Sequence, residues 1–135
     1  MPFGKWILAY ALSFVAFLVI DMVWLGLVAR SFYRRNLSSL MSPTVKWPVA
    51  IVFYLLYVAG VMVFAVRPGV DAAVFWHATL LGVFFGLCAY ATYDLTNWST
   101  LKGYPAAIAV VDTIWGGVLS GLTATIGFFI ARGLS

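Results

Sequence analysis

Four stretches of this chain are each long and apolar enough to cross a lipid bilayer as a helix. A crossing takes about 20 mostly apolar residues. The stretches cover 6–29, 47–66, 72–98 and 105–131. Composition agrees: 64% of residues are hydrophobic, 9% are charged and the mean hydropathy is +1.05. A soluble domain is nearer half apolar and a quarter charged. The fold class expected is therefore all-α, an integral membrane four-helix bundle forming a single domain over 1–135. The first stretch is too long for the apolar region of a secretory signal and carries Asp21.

The breaks between spans come from local chemistry. Pro48 suits the first turn of the second helix, and Pro105 stands at the start of the fourth. Arg67, Pro68 and Gly69 are read as separating the second span from the third, with Asp71 in a loop. Lys102, Gly103, Tyr104 and Pro105 separate the third from the fourth, and 30–46 reads as the one sizeable polar loop. The single cysteine, Cys88, excludes an intrachain disulfide and reads as a small apolar side chain. Arg30, Arg34, Arg35, Lys46 and Lys102 lie on one side of the spans, and Lys5, Arg67 and Arg132 on the other. The positive-inside rule then places both termini outside the cytoplasm. The same distribution reads the net charge of +4 as membrane topology rather than as a nucleic-acid footprint.

Three of the four acidic residues fall inside these spans: Asp21, Asp94 and Asp112. Ionisable residues in a transmembrane helix are costly and mark a cavity or functional site. Span one ends, span three ends and span four begins on the same side of the membrane. The three depths are roughly 12, 6 and 10 Å from that face at 1.5 Å per residue. All three aspartates are therefore expected to line one cavity.

Their neighbours are aromatic or polar. Asp21 precedes Trp24 by three positions and Asp112 precedes Trp115 by three, so each pair shares a helical face. Gly26, Gly116 and Gly117 beside them allow another helix to approach closely. Tyr90, Tyr93, Asp94 and Asn97 form a stripe at helical spacing in span three. Tyr54 and Tyr57 in span two stand at the depth of Asp112 and can donate to a carboxylate. The ligand-binding set expected from this pattern is Asp21, Trp24, Tyr90, Tyr93, Asp94, Asn97, Asp112 and Trp115. Trp6, Trp47, Trp76 and Trp98 near span ends read as interfacial anchors, and His77 as structural. The matched late positions of Asp21 and Asp94 also suggest two parallel helical hairpins as a repeat.

Asp21 with Trp24, Leu25 and Gly26, the run Tyr90, Tyr93, Asp94, Leu95, Thr96 and Asn97, and Asp112 with Trp115 and Gly116 together resemble a family of bacterial inner-membrane proteins, domain of unknown function 2177. The resemblance covers essentially the whole chain and implies a small multi-pass protein of the bacterial inner membrane. It carries no established activity.

The chemistry is narrowed by what the site contains. Zinc and haem are disfavoured where neither histidine nor cysteine stands near the aspartates. Oxygen ligands from the aspartates, Thr96 and Asn97 suit a hard cation, and carboxylates among Trp and Tyr suit an organic one. Three functions stay open: binding or transport of a proton, a cation or a small cationic or amphiphilic ligand; a membrane enzyme acting on a lipid or isoprenoid; and an accessory subunit of a larger membrane complex. The partners expected are membrane lipids and such a ligand, with a homo-oligomer or larger complex compatible and nucleic acid excluded.

Overall fold

The computed structural model describes residues 1–37 and 45–135. Helix α1 spans Phe3–Val23 and continues as one π-helical turn, Trp24–Val28. Ala29 then bends the chain into α2, Arg30–Leu37. The second span is α3, Trp47–Val61, then a π-helical turn Met62–Val66, then α4, Arg67–Ala72. Helix α5 spans Phe75–Thr100 and α6 spans Ala106–Leu134. Four of these helical runs are long and apolar enough to cross a membrane: Phe3–Leu27, Trp47–Ala72, Phe75–Thr100 and Ala106–Leu134. No strand occurs among the described residues.

Two local expectations are corrected. The Arg67, Pro68 and Gly69 run does not break the second span, and Asp71 is helical. Proline lacks an N–H and crowds the carbonyl four residues earlier. The wider π-helical turn immediately before it accommodates both defects, and the helix runs on to Ala72. It stops at Ala73, whose φ of 59° is left-handed. Ala73 N–H donates to the Val70 carbonyl and Val74 N–H to the Gly69 carbonyl, which closes the helix end. The second correction is α2, which occupies the start of the segment read as a polar loop. Phe32, Tyr33 and Leu37 on its apolar side pack against Tyr104, Ile108 and Ala109. The rest of that segment, 38–44, lies outside the described residues.

The core is organised around α6. Glycines on both helices let α5 come very near it. A Cβ on Gly86 would collide with the Gly116 carbonyl oxygen, and one on Gly82 would stand 2.6 Å from Ala124 Cβ. Helix α1 packs along another side of α6, through Ala9 and Phe17 in a core shared with Leu119, Ala124 and Phe128. The second span joins the bundle chiefly through its far half, where Val61, Met62, Ala65 and Val66 are buried. In the near half, α3 exposes Ile51, Val52, Phe53, Leu55 and Leu56. There the gap between α3 and α5 is bridged by rings: Tyr57 lies 5.4 Å from Phe85 and 5.8 Å from Tyr90, centroid to centroid.

Candidate functional site

Among the described residues, the three aspartates within the spans are held by hydroxyl or indole donors rather than by a cation. Asp21 is 6% exposed. Its carboxylate accepts Trp115 Nε1–H at 3.2 Å and the Tyr54 hydroxyl at 3.4 Å. Asp112 accepts the Tyr33 hydroxyl at 2.8 Å, and Tyr33 in turn accepts Trp24 Nε1–H at 3.4 Å. Asp94 is fully buried, with the Tyr104 hydroxyl at 2.9 Å and the Thr113 hydroxyl at 3.5 Å. Thr113 follows Asp112 in α6, so its bond to Asp94 brings those two carboxyls close together, and Asn97 lies near Tyr104.

The two Asp-x-x-Trp faces meet in a crossed arrangement. Trp24 and Trp115 stack in parallel, their centroids 4.4 Å apart and their planes at 9°. Each indole N–H then points to the other helix's acid, Trp115 directly to Asp21 and Trp24 through Tyr33 to Asp112. This follows from helix geometry. Residues three apart share a face, and α1 and α6 run in opposite directions, so each tryptophan reaches back towards the opposing aspartate.

The aspartates do not converge on one cavity. Among the described residues no group of three His, Cys, Asp or Glu side chains could hold a metal ion. Asp94 and Asp112 are neighbours, while Asp21 is occupied on the α1 side by Tyr54 and Trp115. Thr96 is exposed and gives its carbonyl to the Ser99 and Thr100 hydroxyls. The stripe in α5 also divides. Tyr90 packs on Gly116 of α6, Asp94 is buried beside Thr113, and Asn97 joins Tyr104. Tyr93 is 62% exposed. Positions 90, 94 and 97 stay within one narrow face, and 93 sits at its edge.

A cavity of about 370 Å³ opens beside this network, lined by Phe53, Tyr57, Ala89, Tyr90, Tyr93 and Asp112. Phe53 and Tyr93 are exposed and frame its mouth between α3 and α5, within the length of the spans. The cavity therefore faces sideways, where lipid would lie, and its only ionisable carboxyl is Asp112. Tyr57 closes its inner wall with its hydroxyl bonded to Ser120.

Sequence reasoning missed Tyr33, Tyr104 and Thr113. Tyr33 sat in the presumed loop, although Ala29, Phe32, Tyr33 and Leu37 carry the spacing of an amphipathic helix. Tyr104 sat in a break defined by its glycine and proline neighbours. Burial pushes both hydroxyls above the ordinary phenol range. The Trp24 N–H offsets part of this for Tyr33, whereas Asp94 adds to it for Tyr104.

The fold and its buried acids define a small multi-pass membrane protein with an aspartate–aromatic cluster at one end of the bundle. The chain belongs to the family described as predicted membrane protein, DUF2177, whose model matches residues 6–129. No curated protein and no solved structure matches it.

Proposed function

We propose that this protein binds an amphiphilic organic cation, taken from the membrane into the cavity between α3 and α5. One observation carries the reading: Asp112 is the sole carboxyl in a wall otherwise made of Phe53, Tyr57, Ala89, Tyr90 and Tyr93. A cation over an aromatic face gains about 0.5–2 kcal/mol, more when desolvated. Asp112 supplies the counter-charge, and Tyr33 holds its carboxylate in place from the far side. The apolar tail of the ligand stays in the bilayer, past Phe53 and Tyr93. A metal ion fits less well, because the oxygen ligands are dispersed.

A second reading, proton transfer coupled to such binding, is favoured by the contact between Asp94 and Asp112. A cation arriving at Asp112 would displace a proton to Asp94, and the Tyr104 and Tyr33 hydroxyls flank the pair. We place this site in the cytoplasmic half of a bacterial inner membrane, with both termini outside.

Ligand-induced stabilisation tests the binding reading. Purified protein in an uncharged detergent is melted with added dodecyltrimethylammonium, tetraphenylphosphonium or dodecyl sulfate. A ligand at 100 times its Kd stabilises the fold by about 2.7 kcal/mol. The two cations should raise the melting temperature of wild type, and neither should raise that of Asp112→Asn. Asparagine keeps an acceptor for Tyr33, so the variant should fold. Equal shifts in wild type and variant, or no shift with either cation, would reject the site.

A further inference from the structure

We propose a second, separate site: a seat for an anionic phospholipid on the outer side of the junction between α1 and α2, with Arg30 and Arg34 clamping the phosphate. Three observations lead there. Two adjoining hollows, of about 380 Å³ each, share Gly26, Arg30 and Arg34 in their walls. One adds Leu27 and Ser31, the other Met22, Leu25 and Tyr33. The floor is thus the apolar end of a membrane span, and the rim is two guanidinium groups with a hydroxyl.

The geometry matches a lipid in depth and charge. Span one ends at Leu27, so Arg30 and Arg34 stand just beyond the apolar run, at headgroup level. They are four residues apart on α2 and therefore on one face. The adjoining side of α2 is pinned against Tyr104 and α6 by Phe32, Tyr33 and Leu37, which fixes where the arginines stand. Leu27 is 82% exposed, and a Cβ on Gly26 would meet nothing within 4 Å. An acyl chain can therefore descend along Met22 and Leu25. No carboxylate is placed to neutralise the pair. Asp21, Asp94 and Asp112 are engaged by Trp and hydroxyl donors, Asp71 lies at the other end of the bundle in α4, and 38–44 contains no acid. Arginine's planar fork suits a phosphodiester, and basic residues beside a span attract anionic lipid. Charge complementarity thus selects phosphatidylglycerol or a similar lipid over a zwitterionic one.

Native mass spectrometry of the detergent-released protein, titrated with phosphatidylglycerol or phosphatidylcholine, tests this. Wild type should retain phosphatidylglycerol preferentially. Each arginine near the surface is worth about 1 kcal/mol, so the double variant Arg30→Gln with Arg34→Gln should weaken that binding about 30-fold. Arg35→Gln, on the same helix but outside both hollows, should change it less than about twofold. Both variants alter exposed side chains, and a melting curve confirms that they fold. Equal loss in Arg35→Gln would reduce the effect to general surface charge and overturn the proposal. So would unchanged selectivity in the double variant. Soluble glycerol phosphate competing as well as the lipid would also overturn it, by showing an anion site with no role for the apolar floor.

Discussion

The hairpin of α5 and α6 and the hairpin of α1 and α3 have the same topology but are held together differently. In the first, the helices touch through glycine: Gly82 and Gly86 lie against the backbone of α6, while Gly116, Gly117 and Gly121 seat the side chains of Tyr90, Leu87 and Val83 directly. In the second, long side chains span the gap. The Tyr10 hydroxyl reaches the Leu55 carbonyl at 2.6 Å, Tyr54 reaches Asp21, and Phe17 packs against the rings of Tyr54 and Tyr57. Inside a bilayer no hydrophobic force drives helices together, so close packing and interhelical hydrogen bonds have to. The contrast teaches why the cavity lies where it does. A glycine seam leaves no space, whereas the ring-to-ring packing of α3 on α5, where the two hairpins meet, leaves a gap, and Asp112 projects into it from α6.

The largest expected effect is on the tight seam. Gly86→Leu would force a side chain into the Gly116 carbonyl and should cost roughly 3 kcal/mol or more. Thermal or denaturant unfolding in detergent measures it, and a near-wild-type melting point would show that the helices can part freely. Next comes the support of Asp94. Tyr104→Phe removes its 2.9 Å donor from a fully buried carboxyl and should cost about 1–3 kcal/mol.

The same tyrosine gives a pH test. The free phenol titrates near pH 10. Burial raises Tyr104 and Tyr33 in the folded state, so above about pH 10 the folded chain keeps protons that the unfolded chain releases. Stability should be fully present below that pH and decline as pH rises beyond it. Melting curves of Tyr104→Phe and Tyr33→Phe should show a shallower alkaline decline than wild type, and parallel curves would contradict the burial of these hydroxyls.

Trp115→Phe probes the crossing of α1 and α6. It loses the indole bond to Asp21 and part of the stack with Trp24, about 1–2 kcal/mol together. Pairing it with Trp24→Phe in a double-mutant cycle should reveal coupling, and strict additivity would mean that the stack contributes nothing of its own. The smallest effect belongs to Tyr93→Leu. Its side chain is exposed, so stability should stay within about 0.5 kcal/mol, while cation binding at the cavity mouth should weaken severalfold. A variant that binds as wild type does would remove Tyr93 from the site.

The primary sequence by itself determined that this is a four-span helical membrane protein, because a backbone in hydrocarbon must bond internally and only long apolar helices of this kind do so. It also determined that Asp21, Asp94 and Asp112 share one end, since alternating spans leave no other arrangement. Tertiary structure alone decided which donor meets which acid. Rotation about a helix axis costs little until neighbours pack, and here the Gly86 and Gly116 contact sets that rotation. It turned Asp94 inward and Tyr93 outward, although both belonged to one stripe in sequence. It brought Tyr33 and Tyr104, from segments that looked like connections, against Asp112 and Asp94. It also carried the second span through Pro68, because the π-helical turn before it relieves a clash that local propensity alone treats as a stop.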